Sequence, residues 1–546
     1  MILAVDLETT GLHRHRDYIS VVGAHNPETD ETKLFVCQQG KVSEQCKELL
    51  ESADTWITHN GTTFDLHFLR NAGIRWPKYH YDTLIGELCF AVEGRSDFSV
   101  SLANTMRRRL GEDNKLAVDH SDWGLNMKGL TETQVEYIKA DLLSLNRIRL
   151  AQVLEAQKRG MSEALEKEQQ LTLATAEVMS NGLAFDPDRF LELMQGYQKE
   201  AEQHLGMCKL LYGPGFNPNS PDQTIQALGQ FGVAVPDTSV YTLMELATRD
   251  TSMAKAIMPI LKYRQAAHKQ SMYGPKKMDS WVHRGRLYGT LSQLGTSTMR
   301  YSSKQPNIQQ IPVAMREMIG GEPGKFVVAP DYSQIEVRIK AHLTKDPIMT
   351  EALNSEDFHT FMAEAMFPGR AITPELRKTG KGGTFTLNFD GSYRAIQRAA
   401  IKEGELISDE IAQRMVSGYY TRFPAQETFH KVFREYQKAR KPKRLTFPWG
   451  HYRGYPAPKA TQMINNYVQG WAAIGMKEAV IEAQERGLMN YVGLLLHDEI
   501  VATSVPENEV EEYARELEDC MIEGMSRVMP GTLVKVEVKS SRNWSK

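Results

Sequence analysis

Two short acidic motifs, far apart in the chain, carry the chemistry this sequence can do. One is Asp331-Tyr-Ser-Gln-Ile-Glu336. The other is His497-Asp498-Glu499, set between Leu494-Leu-Leu496 and Ile500-Val501. Apolar residues on both sides of an acid mark a buried strand, and a buried carboxylate costs several kcal/mol unless something pairs with it. Two such acids side by side repel each other. A pair of Mg²⁺ ions roughly 4 Å apart relieves that repulsion, and two-metal sites of this kind carry phosphoryl transfer to and from nucleic acid. Taken singly, Asp331 after Ala329-Pro330 also reads as a turn acid, and Asp498-Glu499 as a solvated hairpin.

A second acidic set lies at the N-terminus. Asp6-Leu-Glu8 ends the first strand, where alternation puts both acids on one face. Asn60-Gly-Thr-Thr-Phe-Asp65 adds a third acid, and Tyr137-Ile-Lys-Ala-Asp141 a fourth, with Tyr and Asp on one helix face. Hard carboxylate oxygens suit Mg²⁺ or Mn²⁺ better than zinc. The matching chemistry is hydrolysis, with Tyr137 placed to orient the attacking water. A lone YxxxD is also an ordinary helix surface. Between the first two motifs, Arg377, Lys381, Phe385 and Phe389 recur at steps of four and share a helix face. Its basic end suits a triphosphate and its aromatics a base, although a plain amphipathic helix has the same pattern. Gly380, Gly382 and Gly383 each cost about 1 kcal/mol in a helix interior. They point to a helix that swings or packs closely.

These residues need scaffolds. At 546 residues with 41% hydrophobic content the chain is long enough for about three to four domains. Strands and helices alternate to about Leu150, which predicts an α/β domain. Helical spacing dominates from Ala151 to Met278, broken by the Gly/Pro/Asn-rich loop Pro214–Pro221. A strand leads into Asp331, helices fill Asp346 to Arg440, and strand-like pieces return at Tyr491–Ser504 and Leu533–Val538. The five cysteines are scattered without a CxxC, so neither a disulfide framework nor structural zinc is expected. Asp6 and Glu8 interrupt the first apolar run, and no stretch reaches the roughly 18 to 20 apolar residues of a membrane span, so no leader, no membrane partner and a cytoplasmic location are expected. A net charge of −3 confines any grip on nucleic acid to local stripes. Lys438, Arg440, Lys441, Lys443 and Arg444, followed by Phe447, Trp449, Tyr452 and Tyr455, form one such candidate, or else a solvated helix end.

The N-terminal order resembles the three motifs of the DEDD-type 3′–5′ exonucleases that carry Tyr in the third motif, and Tyr81-Asp82-Thr83 resembles their DT element. By that resemblance Asp6, Glu8, Asp65 and Asp141 are metal ligands and Tyr137 positions water. The rest of the chain resembles the family A DNA polymerases. Thr296-Ser-Thr-Met-Arg300-Tyr-Ser-Ser303 and Pro306-Asn-Ile-Gln-Gln-Ile-Pro312 are similar to TATGRLSS and PNLQNIP, Asp357-Phe-His359 to DIH, and Asn543-Trp544 to a terminal NW. The resemblance implies two metals, Mg²⁺ or in its place Mn²⁺, held by Asp331, Asp498 and the main-chain oxygen of Tyr332. It implies that Glu336 selects deoxynucleotides, that Arg377, Lys381 and His359 bind the triphosphate, and that Phe385, Phe389 and Gln334 serve the same nucleotide pocket. It implies that Arg300, Asn307, Gln309, Asn465, Gln469 and His497, with Lys441 and Arg444, contact primer–template DNA. Three positions depart: Met299 stands where Gly is usual, Phe389-Asp390 replaces Tyr-Gly, and Thr461 replaces a template-contacting Arg.

The implied architecture is an RNase H-like α/β exonuclease domain over 1–150 and an α+β right-hand polymerase domain over 151–546. Its thumb covers about 165–285, its palm 286–345 and 450–546, and its fingers 346–449. The implied reaction is DNA-templated DNA synthesis with proofreading, by a monomer acting on primer–template DNA and dNTPs beside helicase, primase and single-strand binding protein. The compact arrangement fits a phage-type replicative enzyme or a trimmed repair enzyme, in a bacterial cell or a phage-infected host. An exonuclease whose polymerase half only binds DNA, and a single-subunit RNA polymerase, are the rival readings. Glu336 and the exonuclease motifs speak against the second.

Overall fold

The first strand, Ile2-Leu-Ala-Val-Asp-Leu-Glu-Thr9, is buried at nearly every apolar position because its two faces feed two different cores. Leu3, Val5 and Leu7 pack with Trp56, Leu66, Phe68 and Leu69, while Ala4 packs with Ile138, Leu142 and Leu145 of the helix Glu132–Arg159. A strand covered on both sides reads as a near-continuous apolar run. In this computed structural model, which describes residues 1–91, 98–112, 129–355, 357–402, 404–439, 443–455 and 458–544, that strand is β1 of a five-stranded sheet. Its partners are β2 (Ile19–Asn26), β3 (Glu31–Val36), β4 (Thr55–Thr58) and β5 (Tyr79–Asp82), in the order β3-β2-β1-β4-β5. The first three strands run antiparallel, and β4 and β5 join in parallel. The helix Glu132–Arg159 opens on a Thr131/Gln134 capping box and closes on left-handed Gly160.

The helix Ser162–Asn181 is the wall between the two halves of the molecule. Toward the first sheet, its Gln169 side chain closes both main-chain groups of Asp82, and Thr172 donates to the His80 carbonyl. Toward the other half, Glu168 is fully buried and accepts from Lys477 Nζ (2.5 Å), His451 Nε2 (3.1 Å) and Gln293 Nε2 (2.8 Å).

Short strands follow: β6 (Leu183–Ala184), β7 (Val282–His283), β8 (Arg286–Leu287), β9 (Thr290–Ser292) and β10 (Ser302–Lys304). Next come β11 (Lys325–Tyr332), the hairpin β12 (Lys443–Thr446) and β13 (Tyr452–Tyr455), then β14 (Val492–Leu496), β15 (Glu499–Pro506) and β16 (Val536–Ser541). Strands β14-β15-β11-β16 form one antiparallel sheet. Its back is covered by Val510–Val528, which in turn packs on Ala460–Glu485 where Gly475 and Gly524 leave no side chain between them. Helices from Pro347 to Arg422 make a separate apolar cluster around Met362, Met366, Leu387, Met415 and Phe423. Among the described residues no helix is long and apolar enough to cross a membrane, and all five cysteines are buried free thiols.

Candidate active sites

Strand alternation turns Asp6 and Glu8 to the same side as Ala4, toward the helix Glu132–Arg159. That helix comes close because Asp6 is paired across the sheet with Gly23. A Cβ at Gly23 would lie 2.8 Å from Leu142 Cδ1 and 2.9 Å from Ile138 Cγ2. Tyr137 and Asp141 are thereby brought over the strand, and the tyrosine hydroxyl hydrogen-bonds the Asp141 carboxylate. Asp65 opens the helix Asp65–Asn71 and is buried. Its loop is organised by another acid: the Asp82 carboxylate accepts from the amides of Asn60 (2.8 Å), Thr62 (3.0 Å) and Leu84 (2.9 Å). Asp82 is thus committed to holding the turn.

Burial, followed by the charges of Asp65, Asp141 and Glu8, pushes the Asp6 carboxyl well above the carboxylate range. Burial first, then the Asp141 and Asp65 charges, raises Glu8 to about 8. Burial raises Asp65 to about 7 and Asp141 to about 6, the latter against the Tyr137 hydrogen bond. Four acids that share a field and resist ionising together lack positive charge, and hard oxygen donors fit a divalent cation. Among the described residues no three His, Cys, Asp or Glu side chains already form a closed cage for one.

In the larger sheet, Asp331 near the end of β11 is paired with Glu499 of β15 on one side and Glu537 of β16 on the other. The Tyr332 amide donates to the Asp498 carbonyl at 3.0 Å, fastening the first motif to the β14–β15 turn. Left-handed His497 (φ 54°) makes that turn and is exposed. The Tyr332 ring is buried, with its hydroxyl donating to the Met521 carbonyl (2.6 Å). Glu499 accepts from Trp544 Nε1 (2.8 Å), and the Arg316 guanidinium lies 4.2 Å from the Trp544 ring centroid. Arg316 feels the Glu499 and Asp331 charges, is buried, and its Nε and Nη1 lack hydrogen-bond partners. Sequence reasoning missed this cation; the terminal Asn-Trp pair was its only signal.

Around these acids, Gln334 (φ 55°) starts the helix Ile335–Thr344 and its buried Oε1 lacks a partner. Glu336 in that first turn accepts from Arg300 Nη2 (2.9 Å) and Gln469 Nε2 (3.2 Å). Asn465 lies half-buried one turn before Gln469, and Asn307 is half-buried with an unpartnered Oδ1. Gln309 is buried and donates to the carbonyls of Tyr301 (3.1 Å) and Leu495 (2.9 Å), tying its turn to the edge strand β14. The helix Pro374–Asn388 carries Arg377, exposed Lys381 and Phe385, which is 66% exposed with its ring 5.7 Å from that of Phe389. Arg377 grips both oxygens of Asp357 (2.8 and 3.0 Å) and holds that carboxyl well below its usual range; Asp357 also caps the helix bearing His359. Burial and the nearby Lys381 and Arg377 charges depress the His359 imidazole. Gly380 and Gly383 are needed for close packing: a Cβ at Gly380 would meet Ala363 Cβ at 2.8 Å, and one at Gly383 would meet Met415 Cε at 2.4 Å.

The basic run divides. Arg444 is exposed with its guanidinium 3.5 Å from the Tyr452 ring centroid, Lys443 is buried and donates to the Ala439 carbonyl, and Lys441 lies outside the described residues. Phe447 and Trp449 are buried in the core, where Trp449 donates to Glu478 (2.7 Å), so neither is open to stack on a base. Met299 and Asp390, standing where relatives of the resemblance carry Gly, both adopt left-handed backbone (φ 61° and 60°). Such backbone is unusual for residues with a Cβ.

Residues 188–546 match DNA polymerase family A, and residues 3–108 match the RNase H superfamily. DNA polymerase I of Aquifex aeolicus is 26% identical, across all of this chain and 96% of that protein. DNA polymerase I of Chloroflexus aurantiacus is 27% identical over 89% of the chain and 54% of its own length, and that of Bacillus subtilis 25% over 87% and 56%. The chain thus spans little more than half of these last two relatives. The polymerase domain of Pol1 from M. smegmatis, solved in complex with DNA primer-template and dNTP, superposes with a TM-score of 0.81 over 99% of this chain and 95% of that one, at 22% identity. An RNase H-like domain joined to a second domain whose match covers well over half of the sequence places the chain in DNA polymerase family A.

Proposed function

We propose that the protein is a DNA-templated DNA polymerase with a 3′–5′ proofreading exonuclease. The observation that carries the reading is the junction of Asp331 with the Asp498 turn, closed by the Tyr332 amide. Two Mg²⁺ ions per site, or Mn²⁺ in their place, held by Asp331, Asp498 and the Tyr332 carbonyl in one site and by Asp6, Glu8, Asp65 and Asp141 in the other, would activate the attacking oxygen and neutralise the leaving one. The chain's own groups do the positioning. Arg377 and Lys381 on one helix, and His359 on the neighbouring helix Phe358–Met366, serve the triphosphate, and Phe385 and Phe389 present rings to the base. Glu336, held by Arg300 and Gln469, closes the sugar side. In the smaller domain the Tyr137 hydroxyl, held to Asp141, orients the attacking water.

The exonuclease region extends to the end of the helix Glu132–Arg159, and the palm, thumb and fingers follow the ranges given above. A monomer working in the cytoplasm of a bacterial cell or phage-infected host, beside helicase, primase and single-strand binding protein, is the setting this reading implies. Primer extension tests it, with matched and mismatched 3′ ends and with dNTPs exchanged for rNTPs. Extension of matched ends with dNTPs, trimming of mismatched ends and poor use of rNTPs are expected. Trimming without extension would favour the rival exonuclease reading, and equal use of both nucleotides would remove Glu336 from its gate role.

A further inference from the structure

Lys340 is fully buried, and nothing in its helix explains why an ammonium should be there. It lies one turn after Glu336, so both point from the same side of the helix Ile335–Thr344. Its Nζ donates to the Asn388 carbonyl at 2.7 Å and to His430 Nε2 at 3.1 Å. With Nε2 accepting, His430 Nδ1–H donates to the Tyr420 hydroxyl (2.9 Å), which donates to Asp390 Oδ1 (3.0 Å). Asp390 also takes Arg434 Nε at 3.1 Å, and Asp346 adds a second negative charge facing Lys340. Asn388 is the last residue of the helix that carries Arg377, Lys381 and Phe385; Phe389 and left-handed Asp390 follow it. The unpaired carbonyls at a helix C-terminus carry partial negative charge and favour a cation.

Resting on the polymerase reading above, we propose that Lys340 is a positioning residue. Through the Asn388 carbonyl and the His430–Tyr420–Asp390 chain it fixes the end of the nucleotide helix against the helix of Glu336, and so sets the width of the pocket between the sugar gate and the Phe385/Phe389 rings. Burial lowers the Lys340 ammonium to about 7, but Nζ donates to Asn388 whether or not it is charged. The carboxylate at position 390 and the lysine at 340 act as one device: Arg434 and Asp346 share their charge, but only the pair ties the two helices through this chain.

The experiment compares the unmodified protein with Lys340→Met and with Lys340→Met/Asp390→Gly. Steady-state extension with dNTPs and rNTPs, trimming of single-stranded DNA, and amide hydrogen exchange over residues 386–391 are measured. For Lys340→Met the KM for dNTP should rise about tenfold with kcat changed less than about threefold. Discrimination against rNTPs should narrow, exchange at 386–391 should rise about tenfold, and trimming should be unchanged. The double variant should recover to within about threefold of the unmodified protein. Unchanged exchange in Lys340→Met overturns the proposal, and so does failure of Asp390→Gly to restore KM and exchange. If the unmodified protein does not extend primers, the polymerase reading falls, and exchange alone decides whether Lys340 fixes the helix end.

Discussion

Replacing Glu168 by Gln perturbs the ion cluster on the wall between the two halves. Its carboxylate is fully buried yet held down to about 2 from the ordinary 4.5: burial opposes ionisation, and the Lys477 charge and the His451 and Lys477 hydrogen bonds outweigh it. A carboxyl held at about 2 rather than 4.5 corresponds, at about 1.36 kcal/mol per tenfold in proton affinity, to about 3 kcal/mol. Removing one partner of a buried pair costs about 3–5 kcal/mol, which agrees. Lys477 points the other way, since burial lowers its ammonium despite the attraction of Glu168. The carboxylate is the better guide to the loss on mutation, because it receives three donors while the ammonium's one close negative partner is Glu168 itself. Glu168→Gln should therefore lose about 3 kcal/mol in urea unfolding at pH 7, and Glu168→Gln/Lys477→Met should regain more than half of that. A depressed acid contributes its stability above the unfolded value and loses it as pH falls toward the folded one. The gap between unmodified protein and variant should thus begin to close below pH 4.5, toward about 2. A variant within about 1 kcal/mol of the unmodified protein at pH 7, or a gap that does not narrow in acid, would refute the reasoning.

Other outcomes follow from the two acid sites. Asp331→Ala and Asp498→Ala should each reduce primer extension by about 10³-fold while leaving single-strand trimming intact, and Asp6→Ala with Glu8→Ala should do the reverse; paired extension and trimming assays read this directly. Gly23→Val should push the helix Glu132–Arg159 off β1, with its Cβ inside contact distance of Leu142 and Ile138, and lower trimming by about 100-fold with extension unchanged. Because Asp141, Asp65 and Glu8 hold protons up to about 6, 7 and 8, a divalent cation must displace them. The Mg²⁺ concentration for half-maximal trimming should fall as pH rises from 6 to 8, and a pH-independent requirement would contradict the shared field of these acids.

Where local pattern decides the outcome, the sequence is readable. Asp6 and Glu8 share a face because a strand alternates, and the helix with Arg377, Lys381 and Phe385 keeps its step of four. Its glycines signal close packing, borne out at Gly380 and Gly383 against Ala363 and Met415, while Gly382 faces open space. Where distant partners decide, it is not. Lys340 looks like an ordinary surface lysine, but its partners lie 48 and 90 residues away. Phe447 and Trp449 follow a basic run and read as stacking groups, yet the β12–β13 hairpin turns them into the core. Gln309 sits in a motif that suggests a groove, and its amide is given to the carbonyls of Tyr301 and Leu495. The helix Glu132–Arg159 runs past Leu150 because no Gly or Pro interrupts it before Gly160.

The bond from Lys340 to Asn388, with the chain onward to Asp390, limits how this protein can be recombined with its relatives. Four stretches, Ile335–Thr344, Pro374–Gly391, Asp409–Arg422 and Pro424–Lys438, meet at one spot, each supplying a group the others need. A chimera that imports only one would strand a charge in the interior, however well its surface motifs align. Such stretches are exchangeable only as a set.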